Sequence, residues 1–127
     1  MESQVYWGWL GQICAGSFGT ALEGYSRETI KRDFEKLDGY LKKPNSYNDD
    51  ITFEIAFLLA MNEYGSKIKS SHIAEYWIAL IPFAWSAEDI ALKNLLVGIM
   101  PPFSGRLNNP SKEWIGAQMR GAVCGMV

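Results

Sequence analysis

The sequence predicts an all-α protein of five or six helices. Apolar residues recur at three- and four-residue spacing in segment after segment, no stretch alternates apolar and polar residues as a half-buried strand would, and Gly, Pro, Ser and Asn punctuate the chain at helix-sized intervals. The 127 residues make one domain's worth of chain. A 48% apolar fraction with five Trp, six Tyr and six Phe suits a packed core and is too hydrophobic for disorder. A single domain over 1–127 is the expectation.

The first helix is expected from Val5 to Leu22, VYWGWLGQICAGSFGTAL, where Gly8, Gly11, Ala15 and Gly19 form one stripe at helical pitch. An interior glycine costs a helix nearly ~1 kcal/mol relative to alanine, so the stripe has two readings: close approach of another helix, or room for a bulky ligand. Gly16, Gly19 and Glu23 share a face, with Glu23 at the C-terminal end. Ser26 then caps a helix of the type SRETIKRDFEKL, with Ile30, Phe34 and Leu37 facing inward and Gly39 ending it. The run KKPNSYNDD, which contains Pro44, reads as loop.

Ile51 to Tyr64 places Phe53, Ala56, Phe57, Ala60, Met61 and Tyr64 on one stripe, and Ile55, Leu58 and Leu59 widen it. A stripe this broad predicts a central helix. Asn48, Asp49 and Asp50 precede it, where unpaired N–H groups and the helix dipole favour anions. Ser70 or Ser71 opens the next helix, with Ile73, Trp77, Leu80 and Ile81 inward until Pro82 breaks it. In SAEDIALKNLLVGI, Ser86 is the expected N-cap with Asp89 three residues on. Ile90, Leu92, Leu95, Leu96 and Ile99 are the inward set, and Gly98 is the stop. The patternless MPPFSGRLNNP is long for a helix connection and is expected to line a site. A last helix should start at Ser111 and carry Trp114, Gln118 and Gly121 or Ala122 along one side.

Twelve Lys plus Arg against fourteen Asp plus Glu give a net charge of -2, which argues against a nucleic-acid partner. The longest apolar run, the ten residues from Tyr76 to Trp85, contains Pro82 and falls short of a membrane span. Glu2 stands before the first apolar run with no basic segment ahead of it, unlike a secretory signal. A cytoplasmic location follows as an expectation, with Cys14 and Cys124 as reduced, packed small hydrophobes.

The densest polar signal is YNDDITFE. At a loop-to-helix junction the oxygens of Asn48, Asp49 and Asp50 can converge on a hard cation such as magnesium, although two or three ligands make half a site. The plainer reading is that these residues cap the helix. Glu23 is either a surface carboxylate or a catalytic one. His72 has no Cys or His partner nearby for zinc. Arg106 and Arg120 suit phosphates or local acids. Trp7, Trp9, Trp77, Trp85 and Trp114 are expected mostly in the core, with one available to stack on a purine.

The runs GWLGQICAGSFGTALEGY, YNDDITFEIAFLLA and NNPSKEWIGAQMRGAVCGMV resemble, in that order, the N-terminal portion of the ADP-ribosylglycohydrolase family. The resemblance implies an orthogonal multi-helix bundle like the N-terminal half of that fold. It also implies magnesium-dependent hydrolysis of an ADP-ribosyl N- or O-glycosidic linkage. The family's Thr-Asp-Asp-Thr motif falls on Asn48, Asp49, Asp50 and Ile51, which makes Asn48, Asp49 and Asp50 the implied Mg2+ ligands. Glu23 and Asp49 are the implied catalytic residues, and Gly16, Ser17, Gly19 and Arg120 the implied substrate-binding ones. Ser17 stands where the family has an Asp. The family's second paired-Asp motif is not in the chain, and the apolar end GAVCGMV resembles one that continues into a core. The expectation is therefore an N-terminal fragment with a half-formed magnesium site, inactive or incomplete by itself. Its expected partners are an ADP-ribosylated substrate or an ADP-ribose-like small molecule, together with a second copy or a C-terminal half. Two alternatives stand beside this: a non-catalytic ADP-ribose-binding module, and a helical interaction domain without a small ligand.

Overall fold

The computed structural model describes residues 2–43 and 47–127. Among them are six α-helices, three 3-10 turns and no strand, so the all-helical expectation holds. The chain divides into two compact units, Met1–Asn48 and Asp49–Val127.

In the first unit, α1 (Glu2–Gly19) continues into a 3-10 turn (Thr20–Leu22), and the Thr20 hydroxyl donates to the Gly16 carbonyl at 2.8 Å. Within this unit a Cβ on Gly11 or Gly19 would meet nothing within 4 Å, and one on Gly16 would meet only the Asn48 amide nitrogen, at 3.5 Å. α2 (Arg27–Asp33) starts where expected, because the Ser26 hydroxyl accepts from the Thr29 N–H at 3.1 Å. It ends six residues before Gly39. Phe34 turns extended and meets Tyr25 edge to face at 6.1 Å, and a segment this short has too little intrinsic stability to keep the helix going against that contact. The loop expected around Pro44 falls partly on residues 44–46, outside the described residues; its last two positions, Asp49 and Asp50, are helical.

The second unit is built on α3 (Asp49–Tyr64), which packs mainly against α4 (Ser70–Leu80), with α5 (Ser86–Leu96) against α4 in turn. Phe53, Ala56 and Ala60 are buried along the expected stripe. Phe53, Ile81 and Leu92 form the core cluster, with Trp77, Ala84 and Met119 against it. The small Ala56 and Ala60, fully buried, allow a close approach along α3, while burial of Phe53 and Leu92 is worth roughly 1.5–3 kcal/mol each.

Several local expectations are corrected. Trp85, not Ser86, holds the cap position of α5, its carbonyl accepting from the Glu88 and Asp89 N–H groups at 3.0 and 3.2 Å, and Ser86 takes a positive φ inside the first turn. Leu96, expected inward, is 62% exposed because α5 ends there and only Ala91, Leu92 and Leu95 reach the core. Gly98 terminates the run as expected, at φ +86, a conformation that favours glycine. The long helix from Ser111 does not form. Residues 110–115 are turns, α6 spans only Gly116–Met119, and a 3-10 turn covers Ala122–Gly125, where Val123 is buried. Glycines at positions 116, 121 and 125 weaken helix propagation through this segment. The tryptophans are less buried than expected, with Trp7, Trp85 and Trp114 exposed. Cys14 and Cys124 are free thiols but exposed, not packed. Among the described residues no helix is long and apolar enough to cross a membrane.

Candidate functional site

Asp49 and Asp50 occupy the first turn of α3, both half-buried, where the helix dipole stabilises negative charge. Burial, and then the neighbouring Asp49 charge, push the Asp50 carboxyl above its ordinary value, while the positive charge of Arg120 pulls it back. Two adjacent carboxylates offer hard oxygen donors of the kind a divalent cation takes. The described residues contain no group of three or more His, Cys, Asp and Glu arranged for a metal.

Arg120 lies just beyond α6, and its guanidinium is placed by three groups. It donates from Nη2 to Glu88 Oε1 at 2.6 Å, and it sits 4.2 Å from the centre of the Phe53 ring and 5.3 Å from that of Trp77. The two rings themselves meet edge to face at 4.5 Å. Phe53 is three residues after Asp50 on α3, so Arg120 stands against the face of α3 one turn from the carboxylates. The Arg120 and Glu88 side chains are only 17% and 13% exposed. Arg120 thus pairs with an acid that is near in space and distant in sequence.

Glu88 and Glu54 were not singled out by sequence pattern. Glu88 falls in SAEDI, whose charges read as an ordinary solvated first turn, and nothing local signals that its partner lies 32 residues on. Glu54 is completely buried in α3. The available signal was a carboxylate within an apolar run, one turn after Asp50.

The patternless segment after α5 does line cavities. Pro101, Pro102, Ser104 and Gly105 join Ile73, Trp77 and Leu95 around an apolar space of about 270 Å³. Across Trp77, Ala91 and Gly105 lies a more polar space of about 160 Å³ lined by Glu88, Asn109, Lys112, Trp114 and Arg120. The segment is pinned by two asparagines. Asn94 Nδ2 donates to the Ser104 and Leu107 carbonyls at 2.8 and 2.9 Å, and Asn109 Nδ2 donates to those of Ala87 and Gly105 at 2.9 and 3.0 Å.

The remaining sequence-predicted residues lie in the first unit. Gly16, Ser17 and Gly19 are half-buried in the last turns of α1, Glu23 is exposed just after the 3-10 turn, and Asn48 is half-buried ahead of α3. Gly11, Cys14 and Phe18 line a space of about 540 Å³ with Leu37 to Tyr40, and a hydrogen bond with Cys14 pushes the Tyr40 hydroxyl above its ordinary value. His72, the lone histidine, accepts at Nδ1 from the Lys69 N–H at 3.3 Å and stacks on Tyr64, a helix-capping role.

The family model described as ADP-ribosylglycohydrolase matches residues 1–127. No curated protein and no solved structure gives a match.

Proposed function

From the premise that the chain belongs to the ADP-ribosylglycohydrolase family, we propose that Asp49 and Asp50 hold a magnesium ion in the service of hydrolysing an ADP-ribosyl N- or O-glycosidic linkage. The observation that carries this is the half-buried Asp49–Asp50 pair in the first turn of α3, in a chain matched by that family over its whole length. When bound, the cation supplies positive charge that orients ribose hydroxyls and lowers the pKa of water. Asp49 and Asp50 contribute the fixed anionic oxygens, and the adjoining Asn48 a neutral one. Glu23, as acceptor of a proton from water or of a ribose hydroxyl, and Gly16, Ser17 and Gly19, as substrate-binding positions, take these roles from the family resemblance alone.

Two carboxylates hold a cation weakly and position the reacting carbon poorly, so the 127 residues alone bind more readily than they turn over. ADP-ribose release from an ADP-ribosylated protein, compared between the chain and Asp49→Ala, tests this. Release by the chain well above that by the variant would show a complete catalytic site, and equal background rates are the expected outcome.

A second reading, a module that holds an ADP-ribose-like group without cleaving it, is favoured by the cavity where Lys112, Trp114 and Arg120 gather. Calorimetry with ADP-ribose separates the two. Binding that needs magnesium and is lost in Asp50→Ala supports the cation site, and binding indifferent to both supports the module.

A further inference from the structure

Released from Glu88, Arg120 would be a buried cation one helical turn from Asp50, and this is the point from which a role for Glu88 follows. We propose that Glu88 is a positioning residue for the Asp49–Asp50 cation site, holding Arg120 against Phe53 and Trp77 so that the guanidinium does not compete with the cation for the carboxylates. The inference rests on the proposed cation site.

Three observations support it. The Glu88–Arg120 contact is short, at 2.6 Å, and both side chains are largely withdrawn from solvent, which makes the pair strong and directional. The place of the Glu88 carboxylate is kept open by Gly116, since any Cβ there would overlap it. A glycine at the start of α6 thus serves this pair and not helix propensity, which favours alanine. Finally, the Arg120 guanidinium lies 4.2 Å from the centre of the Phe53 ring, and Phe53 is three residues after Asp50 on the same helix. With Glu88 the pair is close to neutral. Without it, a full positive charge with a fork geometry suited to carboxylates faces Asp50.

The test is Mn2+ binding to the full chain, followed by the electron paramagnetic resonance of free Mn2+. Glu88→Gln should weaken Mn2+ affinity on the order of tenfold, the scale of one charge acting across several ångströms of partly buried protein. Gly116→Ala, which changes no charge but displaces the carboxylate, should weaken it in the same direction and covers the case in which Glu88→Gln folds poorly. The double variant Glu88→Gln/Arg120→Met, which removes the released cation, should recover to within about twofold of the original affinity, as expected when the competing group rather than general disorder is responsible. Unchanged affinity in both Glu88→Gln and Gly116→Ala overturns the proposal. So does a double variant that binds as weakly as Glu88→Gln, since that marks a purely structural role. If the unaltered chain binds no Mn2+, or binds it equally well as Asp50→Asn, the cation site itself fails, and that result is distinct from the other two.

Discussion

A Cβ on Gly116 would fall inside the carboxylate of Glu88. Since these residues sit on α6 and α5, the missing side chain is what lets α6 close over the Glu88–Arg120 pair. Gly116→Ala should therefore lower stability by about 1–2 kcal/mol even though alanine is the better helix former, because the displaced carboxylate gives up a charge-assisted hydrogen bond. In a Glu88→Ala background the same substitution should be nearly neutral. Denaturant unfolding of the four proteins measures the coupling, and additive effects would show that the two residues act independently.

Asn109 is 5% exposed, donates to the Ala87 and Gly105 carbonyls, and accepts at Oδ1 from the Ser111 N–H at 3.2 Å. Asn109→Ala removes all three bonds and should cost about 2–4 kcal/mol. Amide exchange should quicken through residues 104–112 while α3 stays protected. A uniform loss of protection would mean that this side chain supports the whole unit and not its loop.

Magnesium at ten times its Kd should stabilise the chain by about 1.4 kcal/mol, since a ligand of the folded state alone contributes RT ln(1 + [L]/Kd). Asp50→Asn should abolish this increment by removing one of the two carboxylates. Thermal melts with and without MgCl2, with matched NaCl controls, make the comparison. A shift that survives in the variant would place the cation elsewhere.

Glu63 accepts from the Tyr76 hydroxyl at 2.5 Å, and hydrogen bonds from Tyr76 and then Tyr64 hold its carboxyl below its ordinary value of 4.5. For a carboxyl lowered in the folded state, the associated stability is present above the ordinary value and is lost as pH falls through the folded one. Tyr76→Phe should move Glu63 up toward its ordinary value and flatten the acid limb of the stability profile. Carbon-detected NMR titration of Glu63 reads the change directly. An unmoved titration would show that the hydrogen bond does not form in solution.

Local pattern was sufficient for the helices of the core. The stripe of Phe53, Ala56 and Ala60 marked α3 as central, Ser26 marked the start of α2, and the lack of pattern around Pro101 marked a segment that lines cavities. Pattern also drew attention to Asp49 and Asp50, since two acids beside a helix start are visible in four residues of sequence. It overextended α2 and the last helix, where short segments depend on what they pack against.

What the sequence by itself determined is thus the set of features that act over one helical turn: apolar periodicity, caps, and neighbouring charges. Only the tertiary structure decided which charges meet. Glu88 and Arg120 each have nearer residues of opposite charge in sequence, yet they pair across 32 residues between the rings and Gly116, because burial excludes water there and makes one well-placed partner worth more than several solvated ones. The same reason explains the tryptophans. A large apolar side chain is recognisable anywhere in a sequence, but whether Trp77 becomes a wall between two cavities and Trp114 stays exposed depends on the space that the packed helices leave.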